Sequence, residues 1–385
     1  MLNPENPNIC LSGVMRLSGI TDLPLHEGRA PAWLMARMRR MAYAIAKVIV
    51  DDYGRRELLR RLSDPYWFQS LGCALGFDWH SSGLTTTVVG ALREALSLEV
   101  HGVAAAGGKG MMGRRVPEQI VRSGIDEDKA AKLIRASRLA AKVDNAVLQD
   151  GYQIYHHAII FTEDGEWAVI QQGMNPDQGY ARRYHWLGER VECFVVEPHA
   201  AIASMRREKI VLNMVSRESE EARRASVDLV SEKPNTLIRL LNLVSRGQET
   251  LTASIEGEGA IPVKELPSFL KMPRRIDWEA IKRAYDVRPR NYEELVEVRG
   301  IGPSTLRALA LISALIYGVR IDWRDPVKFS FAVGGKDGVP YPVSRRTYDE
   351  AISFMQQVLE GAEIEAEEKK QALRRLLQLE RLLYG

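Results

Sequence analysis

Between Gly151 and Gly173 the hydrophobic period changes from that of a helix to that of a strand, and this change alone rules out an all-helical fold. Upstream, EDKAAKLIRASRLAAKVDNAVLQ predicts a long Ala-rich helix that starts at Asp126 and ends at Gly151. Downstream, YQIYHHAIIFT and WAVIQQ are rich in β-formers, and the Asp164-Gly165 pair between them is a hairpin signal. With those two residues as the turn, His157 is expected opposite Gln172, and Ala158 opposite Gln171. The strand period sends His156 and His157 to opposite faces. On that register His157 and Gln172 share a face with Ile159, Ile170, Phe161 and Ala168. A polar pair inside an apolar face must be hydrogen-bonded.

The same pair also admits chemistry. A metal nuclease needs carboxylates to hold Mg2+ or Mn2+, a means of activating water, and a cation near the scissile phosphate. Asp144 and Asp150 as metal ligands, with Lys142, His156, His157 and Gln172 as further catalytic residues, supply those types. Convergence requires Asp150 to lie past the helix end, because a spacing of six on an unbroken helix sets the two aspartates roughly 120° apart. The second strand departs from the restriction-type pattern of acid, spacer and lysine, having Gln171-Gln172-Gly173 instead. The structural alternative is a His–Gln bond that satisfies the core.

A second informative stretch is NYEELVEVRGIGPSTLRALALISALI, residues 291–316. Leu295, Val296 and Val298 predict the apolar side of one helix. Gly300 and Gly302 bracket Ile301 in a tight turn, and Pro303 suits the first position of a second helix. This resembles a helix-hairpin-helix, a small clamp for the DNA backbone. Its chemistry rests on free amides at a helix start, reached by a phosphate across a turn without side chains. Ser304, Thr305 and Arg307 offer further contacts, and Arg299 precedes the turn. An ordinary helical hairpin is the alternative.

Net charge is only +3, so DNA binding is not demanded by composition. Local excess says more: residues 105–142 hold nine Lys/Arg against four Asp/Glu. Within them Gly107, Gly108, Lys109, Gly110 and Gly113 sit beside Arg114 and Arg115, a loop suited to phosphate although it is no P-loop. Arg182 and Arg183, followed by Tyr184, His185 and Trp186, suit a frayed or single strand by stacking, with burial of Trp186 as the alternative. Asp22, His26 and Glu27 are a conceivable metal cluster, and Asp78 to Ser82 with His80 a polar knot. Three scattered cysteines, no signal peptide and no long apolar run lead to the expectation of a cytoplasmic protein that does not enter the membrane.

KVDNAVLQDGYQIYHHAIIF, WAVIQQGMN, ARRYHW and KFSFAVGGKDGVPYPV together resemble the uncharacterised archaeal and thermophile family catalogued as domain of unknown function 763. The resemblance implies membership and brings no activity with it. The expected fold is α+β, mainly helical, with a small antiparallel sheet around residues 152–197 that includes a strand near Cys193 to Val196. A helical and loop-rich region (1–125), an α/β core (126–247) and a helical C-terminal module (248–385) are the expected divisions. The closing amphipathic helix is expected to dock on the body or to form a homodimer. The leading functional expectation is a DNA-processing protein, a divalent-metal-dependent nuclease in repair. The rivals are a non-catalytic DNA-binding scaffold and an enzyme that handles a nucleotide phosphate through Gly107 to Arg115.

Overall fold

The computed structural model describes residues 32–76, 83–204, 206–247, 252–255, 259–262, 267, 270–273, 275–327 and 345–384. The expectations for Asp22, His26 and Glu27, and for Asp78 to Ser82, lie outside these residues.

Helix α1 (Ala32–Tyr53) begins one residue after Pro31 and stops at Gly54, whose φ of 86° suits a residue without Cβ. Helix α2 (Arg55–Ser63) is followed by α3 (Pro65–Leu75), where Asp64 accepts the amides of Tyr66 and Trp67 and Pro65 takes the first position. Helices α4 (Gly83–Ala95) and α5 (Leu98–His101) lead into β1 (Val103–Lys109). Helices α6 (Met111–Arg114) and α7 (Val116–Arg122) then lead to α8 (Glu127–Lys142), capped by Asp126 as its sequence suggests. α8 ends well before Gly151. Val143–Val147 form a π-helical turn and Leu148–Gln149 a short strand, β2.

Strands β3 (Gln153–Thr162), β4 (Trp167–Asn175), β5 (Tyr180–Leu187) and β6 (His199–Ser204) join β1 in an antiparallel sheet of order β1-β3-β4-β5-β6. The expected strand near Cys193 to Val196 is instead a turn. The chain there passes through Glu197 at φ 42° before β6 begins. β7 (Leu212–Asn213) pairs with β2.

The hairpin forms, but one residue out of the expected register. Its loop is Glu163, Asp164 and Gly165, closed by the Thr162 amide to Glu166 O (2.9 Å), with Gly165 at φ 88°. His157 therefore faces Gln171 and His156 faces Gln172, while Ile170 and Ala168 turn to the face opposite His157. A bulge at Tyr155 shifts the pairing by one more residue further down, where Ile154 faces Gly173. The two histidines remain on opposite faces.

Both faces of the sheet are covered, and each has its own core. Ile159, Phe161, Val169, Tyr184, Trp186 and Ile202 pack with α8, the π turn and the helices that follow: α9 (Glu220–Ser231), α10 (Pro234–Gly247), α11 (Trp278–Val287), α12 (Tyr292–Glu297) and α13 (Pro303–Tyr317). Between α10 and α11 lies a separate ribbon of β8 (Thr252–Ile255) and β9 (Gly259–Pro262). Ala158, Ile160, Ala168 and Ile170 pack with α1 to α4 and with α14 (Arg345–Gly361) and α15 (Ala366–Tyr384). The fold is thus α+β and mainly helical, and each core draws on residues from more than one of the expected divisions. α15 docks on the body: Ala372 and Leu376 are buried there, and Glu368 pairs with Arg37 and Arg40. Among the described residues no helix is long and apolar enough to cross a membrane.

Enclosure of the sheet sets a pH dependence. Burial, the largest influence, holds His156 down at about 3, and it also depresses His157 and His185. The folded imidazoles stay neutral, whereas the unfolded chain takes up protons below about 6.5. Stability is therefore fully present above that pH and falls as the pH drops towards 3. Denaturant midpoints measured across this window should show the fall, and His156→Gln should make it shallower.

Candidate functional site

Asp144 sits in the π turn, and strand β5 presents Trp186 towards it, on the same face as Arg182 and Tyr184. Its Oδ2 accepts from Trp186 Nε1 (2.9 Å) and Gln171 Nε2 (2.5 Å), and its Oδ1 accepts from His199 Nε2 (2.5 Å). Gln171 Oε1 accepts from His157 Nδ1 (2.8 Å), and Ser137 Oγ on α8 reaches His157 Nε2 (2.7 Å). The directions follow from Asp144, which can only accept when ionised: Gln171 gives it an N–H, so the Gln171 oxygen takes the His157 Nδ1–H. Burial depresses the His157 pKa and keeps the ring neutral, so with Nδ1 protonated its Nε2 accepts the Ser137 hydroxyl.

His199 reaches this network because the β5–β6 register shifts between His185 and Trp186, so that Trp186 faces His199 while His185 faces Ala201. His199 also borders a cavity of about 380 Å3 shared with Asn213, Ser216 and Asp322.

Asp150 lies past the helix end, as convergence required, but it joins a different cluster. Its Oδ2 accepts from Arg182 Nη1 (2.7 Å) and the Tyr184 hydroxyl (2.7 Å), and its Oδ1 from the Tyr152 amide (3.1 Å). Asp325 grips the other side of the same guanidinium at 2.7 Å, and the Tyr152 ring lies 4.3 Å from it. Asp144 and Asp150 therefore sit in two separate hydrogen-bonded clusters. Each is fully buried and its oxygens are occupied by N–H and O–H donors of the chain, whereas Mg2+ or Mn2+ keeps several waters. Among the described residues no group of three or more His, Cys, Asp or Glu could hold a metal ion.

The remaining catalytic expectations are dispersed. Lys142 donates to Val298 O (2.9 Å), bracing the α12–α13 turn, and burial lowers its pKa. His156 and Gln172 lie on the opposite face of the sheet from His157, and Gln172 Nε2 donates to the Tyr155 hydroxyl. The strand-stacking reading of Arg182 and Arg183 is corrected: both are interior, with Tyr184, His185 and Trp186. Arg183 bonds Gln69 Oε1 (3.0 Å), Thr85 Oγ1 (3.3 Å) and His185 Nε2 (2.9 Å). A basic-aromatic strand covered on both faces has no side left for a nucleic acid.

The Gly-rich turn is different. α12 and α13 are joined by Val298 to Gly302, with Asn291 capping the first helix and Pro303 opening the second. Arg299, Gly300 and Pro303 are exposed, and Gly302 and Ser304 are half-buried. Ile301 and Thr305 point into the core, so neither side chain is a contact. Arg307 is occupied by Lys271 O (2.8 Å) and Gln149 Oε1 (2.7 Å). Among the described residues the amides of Gly302, Ser304 and Thr305 have no acceptor. Lys109, Arg114 and Arg115 are also exposed.

The sequence model of the family described as Protein of unknown function (DUF763) matches residues 19–343. The chain belongs to that family. No curated protein and no solved structure matched it. In this DUF763 protein, the residues that sequence reading missed are Ser137, Gln171, His199 and Asp325. Gln171 was missed through the one-residue register error. His199 depends on a bulge that no glycine marks, and Asp325 lies 143 residues from Arg182, so neither has a local signal.

The Arg182 cluster makes a direct stability prediction. Arg182→Leu leaves Asp150 and Asp325 buried without their cation and should cost about 3–5 kcal/mol in urea unfolding. Arg182→Lys should recover little, because a point charge cannot bridge both carboxylates as the planar fork does.

Proposed function

We propose that the protein binds nucleic acid, duplex DNA foremost, by gripping backbone phosphate at the α12–α13 turn in the manner of a helix-hairpin-helix. The observation that carries this is the set of acceptor-free amides of Gly302, Ser304 and Thr305 at the start of a 15-residue helix, behind an exposed turn. The positive end of that helix dipole adds to the donors. Arg299 is exposed at the turn, and Arg283 holds its carbonyl (3.0 Å). The acidic side chains of α12 are already paired, Glu293 and Glu297 with Arg135, and Glu294 with Arg290. They oppose an incoming phosphate less than three free carboxylates would.

Such contacts hold a duplex without reading its sequence. The metal-dependent nuclease centre expected at Asp144 and Asp150 is not part of this reading, because protein donors already fill both carboxylates. A non-catalytic DNA-binding or scaffold role fits the geometry better.

The two glycines separate folding from binding. Gly300 has φ 90°, and a Cβ there would lie 2.9 Å from the Ala280 Cβ, so substituting it disturbs the packing itself. At Gly302 the nearest atom to a Cβ is 3.9 Å away and φ is −127°, so Gly302→Val should fold normally while crowding the amides. Anisotropy titrations with a labelled duplex should show about a ten-fold loss of affinity for Gly302→Val, close to 1.4 kcal/mol. Unchanged affinity in a folded Gly302→Val protein would contradict the proposal.

A further inference from the structure

On the sheet face away from Asp144, the register sets Lys109, His156, Gln172 and Arg183 side by side across four strands. Cross-strand partners share a face, so this is one polar row at the end of an apolar surface made by Ala158, Ile160, Ala168 and Ile170. Gln172 and Arg183 have hydrogen-bond partners in Tyr155, Gln69 and Thr85. His156 is 1% exposed, and among the described residues neither ring nitrogen has a partner. An unpaired buried polar group costs about 1–3 kcal/mol, so a structure keeps one where something else satisfies it.

The charges around it are of one sign. Arg93 Nη1 donates to Gly107 O (3.1 Å), and Lys109 lies beside the Tyr155 ring. Arg114 and Arg115 are exposed on the adjoining turn. Among the described residues none of these four cations has a carboxylate partner, whereas Arg55, Arg56, Arg60 and Arg61 of α2 all do. Arg93 and Lys109 are close enough to His156 for their charge to help hold it neutral, after burial itself. A metal cation is disfavoured in that field. A neutral imidazole N–H beside two cations suits an oxyanion.

Backbone geometry supports the same conclusion. Gly107 has φ 111°, and a Cβ there would lie 2.2 Å from His157 O, so only glycine lets β1 approach β3 this closely and bring Arg93 and Lys109 over the row.

We propose that Lys109, Arg93 and His156 form a second anion site, one that takes a phosphoryl group. It is independent of the α12–α13 hairpin. The phosphoryl group has two sources, a nucleic-acid end or backbone and a free mononucleotide, and both present the same oxygens.

The test follows the His156 imidazole resonances of histidine-labelled protein during titration. The probes are inorganic phosphate, thymidine 5′-monophosphate, and a short single-stranded oligonucleotide with and without a 5′ phosphate. A saturable His156 shift with the phosphorylated probes, weakened about ten-fold in Lys109→Ala, is expected. Lys109 is exposed and its side chain makes no hydrogen bond among the described residues, so that variant folds. Tighter binding of the phosphorylated oligonucleotide than of the monophosphate identifies a nucleic-acid source, and equal binding a free nucleotide. Absence of any saturable His156 response, or an equal response in Lys109→Ala, would overturn the proposal. Gly302→Val should keep the response to monophosphate, so failure of the hairpin reading and failure of this one are told apart.

Discussion

A five-stranded sheet covered on both faces leaves polar side chains to water only at its strand ends, and this constraint organises the molecule. Each buried polar group must find a partner inside or cost about 1–3 kcal/mol. The result is two networks on one face, Ser137–His157–Gln171–Asp144–His199 and Asp150–Arg182–Asp325, and a polar row on the other. The first places one carboxylate at the focus of three N–H donors. The second holds one guanidinium between two carboxylates. The second ties the sheet to Asp325, far away in the chain after α13, and the first ties it to Ser137 on α8. The networks therefore fix where the α12–α13 hairpin sits relative to the sheet, as does Lys142 through Val298 O.

Much of the local structure was legible in the sequence because its signals are local. Pro303 opens α13, as its residue type requires. Asp126 caps α8 at the expected start. The Asp-Gly hairpin was also legible, but not its loop length. One more loop residue moved Gln171 into the place expected for Gln172, and with a side-chain period of two that exchange reverses the face. The candidate site suffered most. Arg182, Arg183 and Trp186 look like a surface patch when read along the strand, yet they are interior, since composition carries no signal that a strand is covered twice. Asp144 and Asp150 were singled out for their type, and they do prove to be focal residues. Their side-chain partners come from 27 to 55 residues away, beyond any spacing rule.

Two surfaces remain that the interior does not use. The hairpin turn presents amides, and the β1 end presents cations around a histidine that lacks a partner among the described residues. They lie on connected structure: Gly110 donates to Tyr155 O, the Ile154 amide to Asn145 Oδ1, and Gln149 Nε2 to Pro303 O. The sequence from Gly110 to Pro303 is thus joined by hydrogen bonds through the start of β3 and the π turn. Both surfaces suit phosphate, one by dipoles and one by charge, and neither depends on the buried carboxylates.

The most direct test of the central claim is an amide chemical-shift titration of the folded protein with a short DNA duplex at moderate salt. The account predicts that Gly302, Ser304 and Thr305 move together and saturably, with Arg299 close behind. A titration in which the duplex binds while those three amides stay in place would contradict it.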